Sequence, residues 1–209
     1  MALRNTCMLK ENLIYGIDEA GRGPIAGPLS VAVVKVEDME ALREDFDSEP
    51  LSFMLASPFK DSKKLSEKRR DAIFEYILQA QHIKYEHIFL SAKYIDKHGI
   101  SEALQKAVAD LLLQIGAAPS ESVILDGALK APDIYNWKSV TKGDEKFIEV
   151  ALASVVAKVL RDRYMIEIAK KYPGYYFEKH KGYGTKAHFD ALRKLGVSEE
   201  HRLSFLNEK

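Results

Sequence analysis

The stretch that most limits the fold is "NLIYGIDEAGRGPIAGPLSVAVVKV" (residues 12–36), two β-like apolar runs joined by a loop rich in glycine and proline. Such a pair reads as a hairpin-like start to a sheet. Two adjacent acids, Asp18 and Glu19, close the first run. Successive strand side chains point to opposite faces, so both carboxylates serve one site only if the chain bends just after them. Gly21 and Gly23 supply backbone freedom for that bend, and Pro24 withholds a ladder donor. Two readings fit: a polar turn at a strand end, or a metal or proton-transfer site there.

The rest of the chain alternates further. "SEKRRDAIFEYILQA" carries Ser66 at an N-cap position and Ile73, Phe74, Ile77 and Leu78 at helical spacing. "IKYEHIFLSA" alternates as a strand, and "SEALQKAVADLLLQIG" is a helix that Gly116 closes. "SVILDG" reads as a buried central strand ending in Asp126. A long helix is expected from Phe147 to Lys170, stopped by "YPG", and one more around residues 186–195. One strand-helix-strand crossover makes this an α/β chain with a mixed sheet and helices packed on it. A short helix is expected around residues 39–45.

A chain of 209 residues with one cysteine, Cys7, holds one main domain with no intrachain disulfide and no multi-cysteine zinc site. A reducing, cytoplasmic setting and no membrane span are expected. The net charge of zero argues against coating nucleic acid by global charge, leaving local basic patches at residues 60–70 and 179–186.

Ligands of open α/β sheets favour the carboxyl ends of strands, where Asp18, Glu19 and Asp126 are expected. Asp144, in "TKGDEKF", is either a further ligand or a helix N-cap. Asp133 and Asp162 are other options, though Asp162 stands one turn beyond Lys158 and fits an ion pair. Convergent carboxylates without cysteines favour Mg²⁺ or Mn²⁺, and two such ions suit displacement at a phosphodiester. A glycosidase also uses paired acids, but it leaves the basic residues without a role. Ser154 and Lys158 share a helix face, with Arg161 close by, as a phosphate-facing row or a solvated face. Tyr183, between glycines in "HKGYGT", is either packed or exposed for stacking on a sugar or base.

Seven motifs in order, "GIDEAGRGPIAGP", "DSKKLSEKRR", "ILDG", "KGD", "ASVVAKVLRDR", "HKGYGT" and "GVSEEHRLSF", resemble ribonuclease HII over residues 15–205. The resemblance implies an RNase H-like fold over residues 1–170 with a C-terminal helical extension over residues 171–209, and a monomer is expected. It implies cleavage of RNA in RNA/DNA hybrids, and incision 5′ of single ribonucleotides in duplex DNA that leaves 3′-hydroxyl and 5′-phosphate ends. Asp18, Glu19, Asp126 and Asp144 then hold metal. Gly21, Arg22 and Gly23 match the loop whose backbone reads the ribose 2′-hydroxyl, and Tyr183 the residue that stacks on the adjoining deoxyribose. Ser62, Lys63, Ser154 and Lys158 fall near backbone phosphates. The segment between Val36 and Phe59 is longer than the family usually carries. A structure-specific DNA nuclease and a non-enzymatic binder of hybrid duplexes are the competing classes.

Overall fold

The computed structural model describes residues 14–45, 51–53 and 65–206. Its elements are β1 (Ile14–Ala20), β2 (Leu29–Val36), α1 (Met39–Glu44), α2 (Glu67–Gln79), β3 (Ile83–Leu90), α3 (Ala92–His98), α4 (Ile100–Gln114), β4 (Ser122–Asp126), β5 (Asn136–Val140), α5 (Ile148–Lys171), α6 (Phe177–His180), α7 (Lys186–Leu195) and α8 (Leu203–Leu206). Cys7, Ser62, Lys63 and most of the segment after Asp45 lie outside the described residues.

The strands form one sheet in the order β3-β2-β1-β4-β5. β1 pairs antiparallel with β2, as does β2 with β3, while β1-β4 and β4-β5 are parallel. The sheet is therefore mixed and helix-flanked, as the order of apolar runs predicts. β1 sits at its centre. Period-2 alternation divides the strands between two cores: Tyr15, Ile17, Val31 and Val33 pack with Ile95, Leu104, Val108 and Leu111 of α3 and α4, whereas Ala20, Ala32 and Val34 pack with α2 and with Ala151, Leu152, Val155 and Val156 of α5.

Gly16 decides how closely α5 approaches. A Cβ there would lie 2.2 Å from the Glu149 carbonyl carbon and 2.3 Å from the Val150 nitrogen, so the helix backbone rests directly on β1. An isolated glycine in a strand often marks such contact. Asp18, two residues on, faces the same helix.

Several boundaries differ from the sequence reading. β1 runs through both acids to Ala20 and bends only at Gly21. β5 was not anticipated, because its edge position leaves most of its residues exposed or half-buried and without an apolar signature. α3 was not anticipated, only its first residue, Ala92, falling within the run read as a strand; Ser91 caps it, its hydroxyl accepting from the Tyr94 amide at 3.2 Å, and Gly99 at φ 80° separates it from α4. After α5, residues 172–206 pack on the second half of that helix and on the loop before β2: Ala26, Met165, Ile168, Tyr175, Phe177 and Ala191 form a third core. Among the described residues no helix is long and apolar enough to cross a membrane.

Candidate active site and its two turns

The parallel register brings the acids to one edge. Ile17 pairs with Leu125, and the next residues on each strand are Asp18 and Asp126. Asp126 also pairs with Val140 of β5, whose chain turns at Lys142 (φ 56°) into a 3-10 turn at Gly143–Glu145. The Asp126 Oδ1 accepts from the Gly143 amide at 2.6 Å. This bond seats the turn that carries the buried Asp144 beside β4. Three successive parallel strands thus deliver Asp18, Asp126 and Asp144 from their carboxyl ends, and Glu19 adjoins Asp18.

Asp18 is 6% exposed. Burial first, and then the Glu19 charge, push its carboxyl well above the usual carboxylate range; a Ser154 hydrogen bond opposes that shift, and the Asp126 charge adds to it. Asp18 Oδ1 also accepts from the Glu19 amide at 2.7 Å. Among the described residues no group of three or more His, Cys, Asp or Glu side chains is already arranged as a metal site. The acids share an edge without forming a cage. Their chemistry still fits a hard divalent cation: every donor is oxygen, and the negative charge that burial and neighbouring carboxylates make costly at Asp18 is what a cation offsets.

The helical row behaves differently along its length. Ser154 is buried and hydrogen-bonds Asp18. Lys158 Nζ lies 2.6 Å from Asp162 Oδ1, the ion pair that the spacing of four predicts, with Arg70 at 3.7 Å from the other oxygen. Burial lowers the Lys158 pKa, and Asp162 resists that. Asp162 is thereby an ion-pair member within α5. Arg161 corrects the phosphate-row reading: it is 1% exposed, and its guanidinium donates to the carbonyls of Pro28 at 3.0 Å, Lys181 at 2.9 Å and Ala26 at 3.1 Å. One turn further along the helix, the face that is half-buried at Lys158 is covered by loop backbone.

Gly21 is at φ 89°, and a Cβ on it would strike the Arg161 side chain at 2.0 Å. Of the two glycines expected to supply freedom for the bend, Gly23 does not use it. It is absent from the positive-φ glycines, and a Cβ there would meet nothing within 4 Å. The second turn, residues 182–184, docks on the same loop. Gly182 (φ 83°) accepts through its carbonyl from the amides of Ile25 at 3.0 Å and Ala26 at 3.2 Å, and a Cβ on it would overlap the Ala26 oxygen. Tyr183 is 46% exposed at the apex of this turn. Sequence reasoning missed Gly16 and Gly182 as packing glycines, although a lone glycine in the β1 pattern was the available signal.

A family model described as Ribonuclease HII matches residues 15–208. The chain belongs to the ribonuclease HII family. It is 42% identical over 194 residues to the Ribonuclease HII of Caldicellulosiruptor bescii, covering 92% of this chain and 86% of that protein. It is 42% identical to the Ribonuclease HII of Aliarcobacter butzleri over 92% of this chain and 90% of that one. Among solved structures, the RNase HII in a PCNA complex from Archaeoglobus fulgidus matches with TM-score 0.70 at 26% identity, over 91% of this chain and 94% of that chain. A Bst-RNase HIII in complex with Mn²⁺ shares the fold at TM-score 0.68 and 19% identity, over 96% of this chain and 69% of that one. Membership makes this chain a ribonuclease H, a divalent-metal-dependent hydrolase of RNA in RNA/DNA hybrids.

Proposed function

We propose that this member of the ribonuclease HII family also incises duplex DNA on the 5′ side of a single embedded ribonucleotide, leaving 3′-hydroxyl and 5′-phosphate ends. The observation that carries this reading is the adjacency on one chain segment of the buried Asp18 and half-buried Glu19 of β1 and the Gly21–Arg22–Gly23 turn, with the Tyr183 turn docked on the same loop. Asp18, Glu19, Asp126 and Asp144 would hold two ions, Mg²⁺ or Mn²⁺. When bound, such cations activate water and stabilise the leaving oxygen of an in-line displacement at phosphorus.

The protein's own contribution is placement. The turn offers backbone amides beside the acids at a position, Gly23, where nothing of the protein fills the space. A ribose 2′-hydroxyl both donates and accepts, so main-chain groups there distinguish it from a deoxyribose. Tyr183 presents an exposed ring to the adjoining sugar. Ser154 and Lys158 flank the acids from α5, and we assign them with Ser62 and Lys63 to backbone phosphates; Lys158 then exchanges Asp162 for a phosphate oxygen. Residues 1–170 form the catalytic unit in this reading, and residues 171–209 an extension that carries Tyr183.

The test is a DNA duplex containing one ribonucleotide, incubated with and without Mg²⁺ or Mn²⁺. A single metal-dependent nick 5′ of that nucleotide is expected, and Asp126→Asn should slow it roughly 100-fold or more while duplex affinity stays within a few-fold. No metal-dependent cut at that position overturns the reading. Equal cutting of an all-DNA duplex makes the enzyme a structure-specific DNA nuclease instead.

A further inference from the structure

The two turns that face the sugar in the proposed function, residues 21–23 and 182–184, are both held by the segment 198–202. Arg202 is fully buried. Its guanidinium donates to the carbonyls of Gly21 at 2.7 Å, Arg22 at 3.1 Å and Gly27 at 2.9 Å. Main-chain bonds set the register of the segment: the Gly27 amide donates to the Glu200 carbonyl at 2.7 Å, and the Arg202 amide to the Ile25 carbonyl at 2.8 Å.

The neighbouring His201 acts on the other turn. Its Nδ1 accepts from the Ser198 amide at 2.8 Å, so the ring proton is on Nε2, which donates to His188 Nε2 at 3.0 Å. His188 in turn donates from Nδ1 to the Tyr183 carbonyl at 2.9 Å. Burial holds both imidazoles below their ordinary pKa, His188 at about 4, in keeping with this neutral relay.

The chemistry of a peptide plane gives the Arg202 contacts a consequence. In a trans peptide the C=O and the N–H of one plane point in opposite directions. A guanidinium that draws the Gly21 and Arg22 carbonyls inward therefore turns the amides of Arg22 and Gly23 outward, on the side where Gly23 meets open space. A turn that recognises a hydroxyl through its main chain has no side chain to aim, so the groups holding its carbonyls set its geometry. Only a planar fork serves two adjacent carbonyls and a third; a lysine ammonium is a point charge on a flexible stem.

We propose that Arg202 is a positioning residue for sugar recognition: it aims the amides of the 21–23 turn at the 2′-hydroxyl, and through the adjoining His201 the same segment keeps the Tyr183 turn in register with them. This rests on the proposed function. The like charge of Arg161 and the burial of both guanidiniums oppose the arrangement, and six backbone carbonyls offset them.

The test measures, with EDTA present, the affinity for a duplex containing one ribonucleotide and for the all-DNA duplex of the same sequence. Arg202→Gln and Arg202→Lys are compared with Asp96→Ala. Asp96 accepts from the Leu203 and Ser204 amides at 2.9 and 3.0 Å, so its loss loosens the same segment without touching the guanidinium contacts. We expect both Arg202 variants to lose roughly five- to tenfold in the ribonucleotide preference, with all-DNA affinity changed less than about twofold. Asp96→Ala should lower the melting temperature and leave the preference intact. If Arg202→Gln does not fold, Arg202→Lys decides. A folded Arg202 variant that keeps the wild-type preference, or loses both affinities by one common factor, overturns the inference. A wild type that neither prefers the ribonucleotide duplex nor nicks it with metal overturns the proposed function, and this inference with it.

Discussion

Replacing Gly16 with alanine tests whether the contact between β1 and α5 sets the geometry of the acidic edge. The added Cβ would stand 2.2 Å from the Glu149 carbonyl carbon, 2.3 Å from the Val150 nitrogen and 2.6 Å from the Glu149 oxygen. Carbon atoms at ease sit about 3.5–4.0 Å apart, so strand and helix must separate by more than about 1 Å. All three obstructing atoms are backbone, which no rotamer change relieves. Overpacking of this kind costs roughly 1–3 kcal/mol, and a gap of that width forfeits a quarter to a half of the dispersion contacts along the face, which brings the total to about 3–5 kcal/mol. For a chain of this size the melting temperature should fall by about 6–20 °C.

The same displacement carries Ser154 away from Asp18, since Gly16 and Asp18 share the face that α5 covers. Misplacement by about 1 Å at a reacting centre costs on the order of 100-fold in rate. Thermal unfolding followed by circular dichroism, with metal-dependent nicking measured well below the melting temperature, reads both effects. Gly23→Ala is the comparison for stability, because its added Cβ meets nothing within 4 Å and its φ is ordinary. A Gly16→Ala protein that melts within about 2 °C of wild type and nicks at the wild-type rate would refute the reasoning.

Two further substitutions separate stability from chemistry. Glu149, 4% exposed, has its carboxyl pushed up by burial to about 7 from 4.5. Between those values the folded state keeps a proton that the unfolded state has lost, so stability falls as pH rises through that window; Glu149→Gln should stabilise by up to about 3 kcal/mol at pH 8 and by almost nothing at pH 4, read by urea denaturation. Tyr183→Ala alters a ring that is 46% exposed. Its melting temperature should hold, while nicking at a single ribonucleotide slows roughly tenfold, as expected for a lost stacking platform.

Local chemistry was legible where a short run of sequence contains its own reason. The apolar runs ending at Asp18 and Asp126 announced strands, and the spacing of four between Lys158 and Asp162 announced their ion pair. The adjacency of β1 and β4, which neither run specifies alone, is set by their parallel register. β5 was hidden because an exposed edge strand needs no apolar pattern. Arg161 was misread because helical spacing gives a face but not what covers it; the loop that occupies that face lies about 135 residues earlier in the chain. Arg202 left no local signature, since its partners at Gly21 and Arg22 are remote and are backbone atoms, which carry no sequence identity.

The Arg202 contact also has a consequence for the order of synthesis. Gly21 and its guanidinium partner are 181 residues apart. At roughly 5–20 residues per second, a ribosome that has finished β1 and the following turn needs about 10–40 seconds more before that side chain exists. The acids and their turn are therefore made early and completed late: a nascent chain that has folded its sheet still lacks the last contact on the turn, and the finished geometry arrives only with the end of translation through residue 202.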